Sequence, residues 1–419
     1  MTSTSANAAP LRPVLSTRPF TINLVRLGTD ACWTAFLFAT TYALYPLGIQ
    51  NVERYFWAVA DLAVVILLLP MWPQFLKAAR REAIFLTWPV LACASVFWSL
   101  TPGITLYHGV QLLMTVLVAL LLCIYASLER ILRFMFFALL AAAVLSVAYV
   151  QLRPGVAIYW AGEWLGVFPH KNVFGYMMLL LVLTSLCLCL AGWHRFLTAG
   201  ATILGLLLVY KSRSGTAALV LAMSLSIVPL ACWHKKSWSA SAGILGVLLI
   251  VASIALAIVQ VFDVELVKAV LNALGKDATL TGRTVLWEYG IQAYQQRPWL
   301  GYGFKGYWES FETSAPLLRL VIGQELWYFH NSFLEVAVAF GVLGPVLLIA
   351  GLWIAVYRCV RNFVLRPDFI ALWPILFLYV VIVSCLVDHL LFVNHSLYQL
   401  LLIVAAAASP PRPVPRRNA

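Results

Sequence analysis

Four short stretches of the chain hold polar side chains whose types and spacing could support chemistry on an anionic substrate. They are residues 168–172, FPHKN; 211–216, KSRSGT; 281–284, TGRT; and 330–335, HNSFLE. The first three place basic side chains where helices are predicted to begin, and helix N-termini bind anions such as phosphate. The fourth adds a histidine, a side chain that titrates near neutral pH and often acts as a general base.

The FPHKN motif is predicted to start a membrane-spanning helix. Asn172 is a good helix N-cap, which would leave His170 and Lys171 beside the positive end of the helix dipole. We therefore predict that His170, Lys171 and Asn172 bind substrate. The alternative is that Lys171 only snorkels toward the lipid headgroups, with His170 near them.

The KSRSGT motif places Lys211 and Arg213 directly before another predicted helix. Ser, Gly and Thr occupy the start of that helix, and arginine binds phosphate with two parallel hydrogen bonds. We predict a second anion-binding element here. The alternative is that the two cations only anchor the helix at the membrane interface. That alternative is weaker here, because the loop is predicted to lie outside, where short loops carry few cations.

The TGRT motif opens a helix predicted over Arg283–Gln296, because apolar residues recur there at helical spacing. Pro298 ends this pattern, and Gly301 and Gly303 predict a turn after it. Arg283 at the helix start is a candidate anion ligand, and an exposed loop arginine is the alternative. Aromatic residues nearby could stack on sugars, although ordinary interfacial packing explains each of them singly.

His330 precedes an S-x-x-E capping box formed by Ser332 and Glu335, which predicts a helix start at the outer membrane surface. A neutral His330 could serve there as a general base, and a structural interfacial histidine is the alternative. We also predict that Asn331 and Asp388 contact substrate. Asp388, in the last outside loop, could orient a catalytic group or the acceptor.

Most of the chain between these motifs is apolar: hydrophobic residues make up 63% of the chain and charged residues 11%. The apolar segments must therefore position the motifs. Soluble domains average about 25% charged residues, so a soluble protein is excluded. The fold class is an all-α polytopic membrane protein, with spans predicted at 31–49, 55–72, 83–100, 105–126, 131–151, 173–191, 197–210, 215–232, 239–261, 332–356, 369–387 and 391–408.

The arrangement of basic residues predicts twelve spans with both termini inside the cell, because basic short loops mark the cytoplasmic side. Seventeen basic residues fall on that side: Arg12, Arg18, Arg26, Lys77, Arg80, Arg81, Arg130, Arg133, Arg195, Lys235, Lys236, Arg358, Arg361, Arg366, Arg412, Arg416 and Arg417. The short outside loops hold five: Arg54, Arg153, Lys171, Lys211 and Arg213.

Five regions follow from this topology. We predict a cytoplasmic tail at 1–30, nine helices across 31–261, one large periplasmic loop at 262–331, three helices across 332–408 and a disordered cytoplasmic tail at 409–419. The first residues lack a signal-peptide pattern, so the first span is expected to be an uncleaved anchor. Most ionisable residues that topology leaves unexplained lie in the large loop.

Other function classes are disfavoured by what the sequence lacks. The cations form no run typical of nucleic-acid binding, so no nucleic-acid partner is expected. There is no H-E-x-x-H helix, G-x-S-x-G elbow, Walker A loop or C-x-x-C metal pattern. We expect no metal and no cofactor, and the eight cysteines are expected to be apolar filler.

Taken in order, the motifs FPHKN-x-FG, SRSGT, GRT-x-x-W, P-x-x-GYG and HNSFLE resemble the bacterial O-antigen ligase and Wzy-type polysaccharide polymerase superfamily. The FPHKN and GRTVLW forms are most similar to exopolysaccharide polymerases of the succinoglycan type. These motifs span about 168–345. Residues 1–150 match the family by hydropathy alone.

The resemblance implies a metal-independent, inverting glycosyltransferase of the GT-C type in the bacterial inner membrane, with its active site facing the periplasm. Its donor would be an oligosaccharide on undecaprenyl pyrophosphate. Arg213 and Arg283 match arginines that hold the donor pyrophosphate, and His330 matches the proposed base. Lys171 and Lys211 are plausible helpers, and Asp388 matches loosely. A chain-length regulator of polysaccharide export is a further expected partner.

Three alternatives stay open on the sequence alone. A ligase would transfer the finished glycan to lipid A-core, and the FPHKN form favours a polymerase only weakly over it. A flippase for the same lipid-linked glycan would need charges along a passage through the spans, whereas here they cluster at the outer mouth. A scaffolding membrane protein would not require cations on the outside.

Overall fold

The computed structural model describes residues 24–47, 50–159, 162–234, 280–322 and 326–407. Its elements are almost all helical. In chain order they are α1 Leu24–Ala39, a 3₁₀ turn Tyr45–Leu47, α2 Gln50–Leu68, α3 Trp72–Arg81, α4 Ala83–Ala94, a 3₁₀ turn Ser95–Phe97, α5 Pro102–Tyr125, α6 Leu128–Leu152, α7 Pro154–Ala157, β1 Ile158–Tyr159, β2 Glu163–Trp164, α8 Lys171–Leu190, α9 Arg195–Ser212, α10 Gly215–His234, α11 Leu280–Gln296, α12 Gly306–Glu309, α13 Ala315–Ile322, α14 Ser332–Phe340, α15 Leu343–Leu365, α16 Phe369–Cys385 and α17 Leu397–Ala407.

Long apolar helices confirm an all-α membrane protein in broad terms. Within the described part of the chain, α5, α6, α8 and α15 are long and apolar enough to cross a bilayer. A fifth crossing is possible if α2 and α3, which meet at a bend of 104°, are counted as one span. Twelve spans and their orientation stay predictions, as do the five regions.

Helices occupy every predicted span that falls among the described residues. The predicted ninth span at 239–261 lies outside them, as do loop residues 262–279, most of the N-terminal tail and the tail at 409–419. The predicted tenth span is broken, because α14 ends at Gly341 and α15 begins two residues later. Gly341 has a φ of 61°, and its Cα lies so close to the backbone of Trp299 that a Cβ would clash there.

Helix α8 forms the centre of the bundle. Its residues from Phe174 to Ser185 are almost all buried, including polar Thr184 and Ser185, whose hydroxyls donate to carbonyls of their own helix. Helices α6, α9, α10 and α16 pack around it. A helix that is apolar on all sides is expected to be buried on all sides, so α8 supplies a fixed axis for the residues at its start.

The segment after α11 packs on the end of α14 and on the turn before α5. Two backbone bonds satisfy carbonyls in the last turn of α14: the Tyr302 N–H donates to the Val338 carbonyl and the Gly303 N–H donates to the Ala339 carbonyl, each over 2.9 Å. The Phe304 N–H donates to Ser95 Oγ over 3.0 Å. The turn predicted at Gly301 and Gly303 is present, and both glycines have positive φ. This segment is therefore fixed to α14 and to the turn before α5.

A buried carboxylate joins three helices at the predicted cytoplasmic end. Glu82, between α3 and α4, is fully buried and accepts from Arg81 Nε over 2.6 Å and from Arg358 of α15. The Arg81 guanidinium also donates to the carbonyl of Ala407, at the end of α17, over 2.8 Å. The two arginines compensate for burying this charge, and their hydrogen bonds connect α3, α15 and α17.

We expect Glu82→Ala to lower the stability of the folded protein in detergent by about 2 kcal/mol or more, because the substitution leaves a cavity at a buried position and removes the common partner of Arg81 and Arg358. Thermal unfolding of the purified protein measures the effect. Glu129→Ala is the matched control, since Glu129 pairs with Arg133 on an exposed helix face. Such surface pairs contribute about 0.5 kcal/mol or less. Equal losses for the two variants would contradict a special role for Glu82.

Candidate active site

His330 and Asp388 come together at the end of the bundle where α8 and α14 begin, although 58 residues separate them. His330 Nδ1 lies 3.4 Å from Asp388 Oδ1, and the two side chains are 26% and 13% exposed. His330 has a φ of 54°, a left-handed conformation that non-glycine residues adopt rarely and often at functional sites. The ring of Tyr328 contacts the imidazole at a centroid distance of 4.6 Å.

The start of α14 is joined to the segment after α16 by side-chain bonds to the backbone. Asn331 Nδ2 donates to the Leu386 carbonyl over 3.1 Å. Ser332 Oγ donates to the Asp388 carbonyl over 3.1 Å and accepts from the Leu390 N–H over 3.2 Å. These three bonds fix Asp388 relative to His330.

The predicted capping box is wrong in detail. Asn331, and not Ser332, caps α14, because Asn331 Oδ1 accepts from the Leu334 N–H over 3.0 Å. Glu335 turns into the loop instead and accepts from the Trp308 indole and the Phe329 N–H, each over 3.0 Å. The predicted substrate ligand Asn331 therefore has both its amide groups engaged in holding the helix start.

The charges around Asp388 favour its ionised form. Burial by itself opposes ionisation, but the hydrogen bond and charge of His330, followed by the charge of Arg283, hold the pKa of Asp388 below its usual value. An ionised carboxylate only accepts hydrogen bonds, so His330 Nδ1 must be the donor. In the neutral form of the imidazole, this donation leaves the lone pair of His330 Nε2 free to take a proton, the orientation that a carboxylate gives to a catalytic histidine.

The start of α8 differs from the predicted cap. His170 is the N-cap, and its Nδ1 accepts from the Asn172 N–H over 3.2 Å. The Asn172 side chain does not cap the helix, because its Oδ1 accepts from Ser214 Oγ over 3.0 Å. Asn172 thus connects α8 to the KSRSGT turn, and the two predicted anion-binding motifs are neighbours.

The hairpin of β1 and β2 covers these two motifs. Glu163 Oε1 accepts from Lys171 Nζ over 2.6 Å, and Lys211 Nζ lies 5.6 Å from the centre of the Trp164 ring. Arg213 has a φ of 50° and ends α9 in a left-handed conformation. The guanidinium of Arg213 lies beside Gly162 in the hairpin turn, at 4.0 Å from where a Cβ on that glycine would lie.

Electrostatic interactions connect the α8 motif with the His330 pair. Burial lowers the pKa of His170, and the charges of Lys171 and His330 lower it further, while Asp388 and Glu163 act in the opposite direction. Arg283 lies close enough to act on Asp388. The structure thus brings His170, Lys171, His330, Asp388 and Arg283 into one site.

Lys211, Arg213 and Asn172 border this site through the KSRSGT turn. Sequence reasoning missed Glu163, Trp164 and Tyr328, which lie against predicted site residues. One sequence signal could have found Glu163: it is an acidic residue in the same predicted outside loop as Lys171, which indicates a possible ion pair. The others are ordinary interfacial types whose roles depend on distant contacts. Among the described residues, no three His, Cys, Asp or Glu side chains are grouped closely enough to hold a metal ion.

Together these side chains offer a cationic surface beside a histidine that a carboxylate orients. Cations at a helix start stabilise negative charge on phosphate oxygens as it develops. A histidine with a free Nε2 can remove a proton from a hydroxyl group. The arrangement suits transfer of a group from a phosphate leaving group to an alcohol.

Comparisons with known proteins agree with this chemistry. A family model described as O-antigen ligase matches residues 198–349, which run from α9 to the first turns of α15. The exopolysaccharide production protein ExoQ of Rhizobium meliloti (strain 1021) is 29% identical over 346 residues, covering 78% of this chain and 76% of that protein. The resemblance inferred from the motifs is confirmed, and both similarities support a membrane enzyme of the polymerase or ligase type.

We expect inorganic pyrophosphate to bind the purified protein and Arg213→Gln to weaken that binding by about 10- to 100-fold, because a charge-assisted hydrogen bond is lost. Arg195→Gln is the control, since Arg195 begins α9 and Arg213 ends it. The helix separates the two arginines by about 27 Å. Calorimetric titration compares the variants, and equal affinities for both would show that Arg213 does not contact the anion.

Proposed function

We propose that this protein is an inner-membrane glycosyltransferase that polymerises undecaprenyl-pyrophosphate-linked repeat units into exopolysaccharide on the periplasmic face. The observation that carries the proposal is the His330–Asp388 pair beside the cationic starts of α8 and α11. The similarity to an exopolysaccharide production protein supports a polymer as the product. The outside location follows from the cations that the positive-inside pattern does not explain.

The reaction is a displacement at the anomeric carbon of the donor sugar. The bond between that carbon and the phosphate oxygen breaks, and its electron pair leaves with undecaprenyl pyrophosphate. Arg213 and Arg283, with Lys171 and Lys211 nearby, stabilise the charge that develops on the phosphate oxygens. The donor is already activated by its pyrophosphate linkage, so the step requires no nucleotide.

The attacking group is a hydroxyl of the acceptor sugar. Its oxygen forms the new glycosidic bond while its proton passes to His330 Nε2. Asp388 holds the imidazole in the required tautomer and stabilises the imidazolium that forms. Attack on the side opposite the leaving group inverts the anomeric centre. His330 then releases the proton to water.

A ligase is the second candidate, and the family model described as O-antigen ligase favours it. Such an enzyme would use the same donor site and the same base, and it would differ in the acceptor, lipid A-core. A flippase is disfavoured, because within the described spans the polar groups that form the site gather at helix starts on one side. A chain-length regulator is proposed as a partner in the polymerase case.

We expect a strain that lacks this protein to lose high-mass polysaccharide and to accumulate single repeat units on the lipid carrier, because initiation and export to the outer face remain intact. Gel sizing of secreted polysaccharide together with mass spectrometry of lipid-linked intermediates makes the measurement. Long polymer retained on undecaprenyl pyrophosphate would instead identify a ligase. Absence of lipid-linked glycan from the outer face would identify a flippase.

We expect His330→Ala to reduce turnover by about 10²- to 10⁴-fold while undecaprenyl pyrophosphate binding stays unchanged, because only proton transfer is removed. Turnover is measured with purified enzyme and lipid-linked repeat units. His194→Ala is the control, since His194 begins α9 at the end of that helix opposite to Arg213. If His330→Ala retained full turnover, His330 would not be the base.

A further inference from the structure

A second group of polar side chains lies between α5 and the segment before α17. Asn394 Nδ2 is 2.8 Å from His108 Nδ1 and 3.0 Å from Gln111 Oε1. His108 Nδ1 also lies 3.1 Å from Gln111 Oε1, so its tautomer decides whether it accepts from Asn394 or donates to Gln111. His108 and Gln111 are one helical turn apart on α5, and thus both face Asn394.

These contacts are not needed to hold the two elements together. The neighbouring His395 N–H already donates to Thr115 Oγ1 of α5 over 2.8 Å. The His395 ring also stacks on Trp57 at a centroid distance of 4.2 Å. The backbone bond and the stacked ring connect this segment to α5 and α2 without the amide of Asn394.

Several polar atoms of this region are buried without a partner among the described residues. They are Asn394 Oδ1, His395 Nε2 and both ring nitrogens of His389. Such atoms cost free energy unless something bonds to them. His389 is only 8% exposed. Burial, followed by the charge of Lys305, holds the pKa of His389 well below its usual value, so the ring is neutral and offers one donor and one acceptor.

The second group continues the site around His330. The Tyr328 ring contacts the rings of both His330 and His389, at centroid distances of 4.6 and 5.5 Å. Lys305, in the segment fixed to α14, acts electrostatically on both His389 and His108. Lys305 thus acts on a histidine beside His330 and on a histidine bonded to Asn394.

The two groups of side chains differ in chemistry. His170, Lys171 and Arg213, next to the start of α8, suit a phosphate. The second group consists of neutral imidazole and amide groups, with the charge of Lys305 acting on it. Neutral donors and acceptors match sugar hydroxyls, which both donate and accept hydrogen bonds.

We propose that His389, His108, Gln111 and Asn394 form the binding site for the acceptor glycan, whose terminal hydroxyl they direct toward His330. This inference rests on the proposed function and goes beyond it, because it assigns acceptor recognition to α5 and to the segment before α17. Lys305, whose charge acts on both His389 and His108, takes any anionic group of the acceptor.

The test uses the full chain in lipid nanodiscs and two probes, undecaprenyl pyrophosphate and the repeat-unit oligosaccharide released from its lipid by mild acid. Gln111→Ala and Asn394→Ala should each weaken oligosaccharide binding by about three- to tenfold, as expected for one lost neutral hydrogen bond. Binding of undecaprenyl pyrophosphate should stay within about twofold of wild type for both. Arg213→Ala should give the opposite pattern.

Gln292→Ala, an amide removed from the exposed face of α11, is the matched control and should change neither affinity. Gln111 is half-buried, so its variant tests the site even if Asn394→Ala unfolds; thermal unfolding identifies that case. Wild-type affinity for the oligosaccharide in Gln111→Ala would overturn the acceptor site. No oligosaccharide binding by wild type, with normal lipid binding, would also overturn it. If wild type bound no undecaprenyl pyrophosphate, the proposed function itself would fail.

Discussion

The candidate active site depends on the joint between the start of α14 and the segment that follows α16. The side chains of Asn331 and Ser332 bond to backbone groups of that segment through three hydrogen bonds of 3.1 to 3.2 Å. Each bond joins residues more than 50 positions apart in the chain. Because the bonds are to backbone atoms, they fix the position of Asp388 and not merely its side-chain rotamer. His330 gains an orienting carboxylate as a result.

Burial around this joint supplies the rigidity that it needs. Glu335 is buried under the joint and is held by the Trp308 indole and the Phe329 N–H. Trp308 and Phe329 in turn pack in the small core formed by the loop after α11. Opening this core would break the hydrogen bonds of Glu335. A buried carboxylate without a partner costs free energy, so the core favours the closed arrangement. The helix start, the loop and the carboxylate therefore support one another.

Charge is distributed unevenly around His330, and this asymmetry has a simple physical origin. Cations gather where helices begin, with Lys171 at the start of α8 and Arg213 directly before α10. Helix starts repel cations, so these side chains are stable there when an anion or an acidic neighbour such as Glu163 compensates. The polar groups around His108 and Asn394 are mostly neutral, so a bound anion is favoured beside the cations at the start of α8.

The sequence by itself determined what local rules control. Hydropathy and the distribution of basic residues predicted a helical membrane protein, and the cations on the outside marked Lys171, Lys211 and Arg213 as unusual. Spacing predicted α11 to within three residues at its start and to the residue at its end. Local patterns failed where two neighbouring residues compete for one role. Asn172 and Ser332 are good caps in isolation, but His170 and Asn331 cap the helices, because Asn172 and Ser332 bond to distant partners.

Only the tertiary structure decided which residues share a site. The pairing of Lys171 with Glu163 depends on a two-stranded hairpin, and the pairing of His330 with Asp388 depends on how α14 packs against the end of α16. His389 and Asn394 carry no spacing signal, since their neighbours Tyr328, His108 and Gln111 come from other helices and loops. Helix formation is local, because it depends on apolar residues that recur every three to four positions. Contacts across hundreds of residues arise from packing, which no local period encodes.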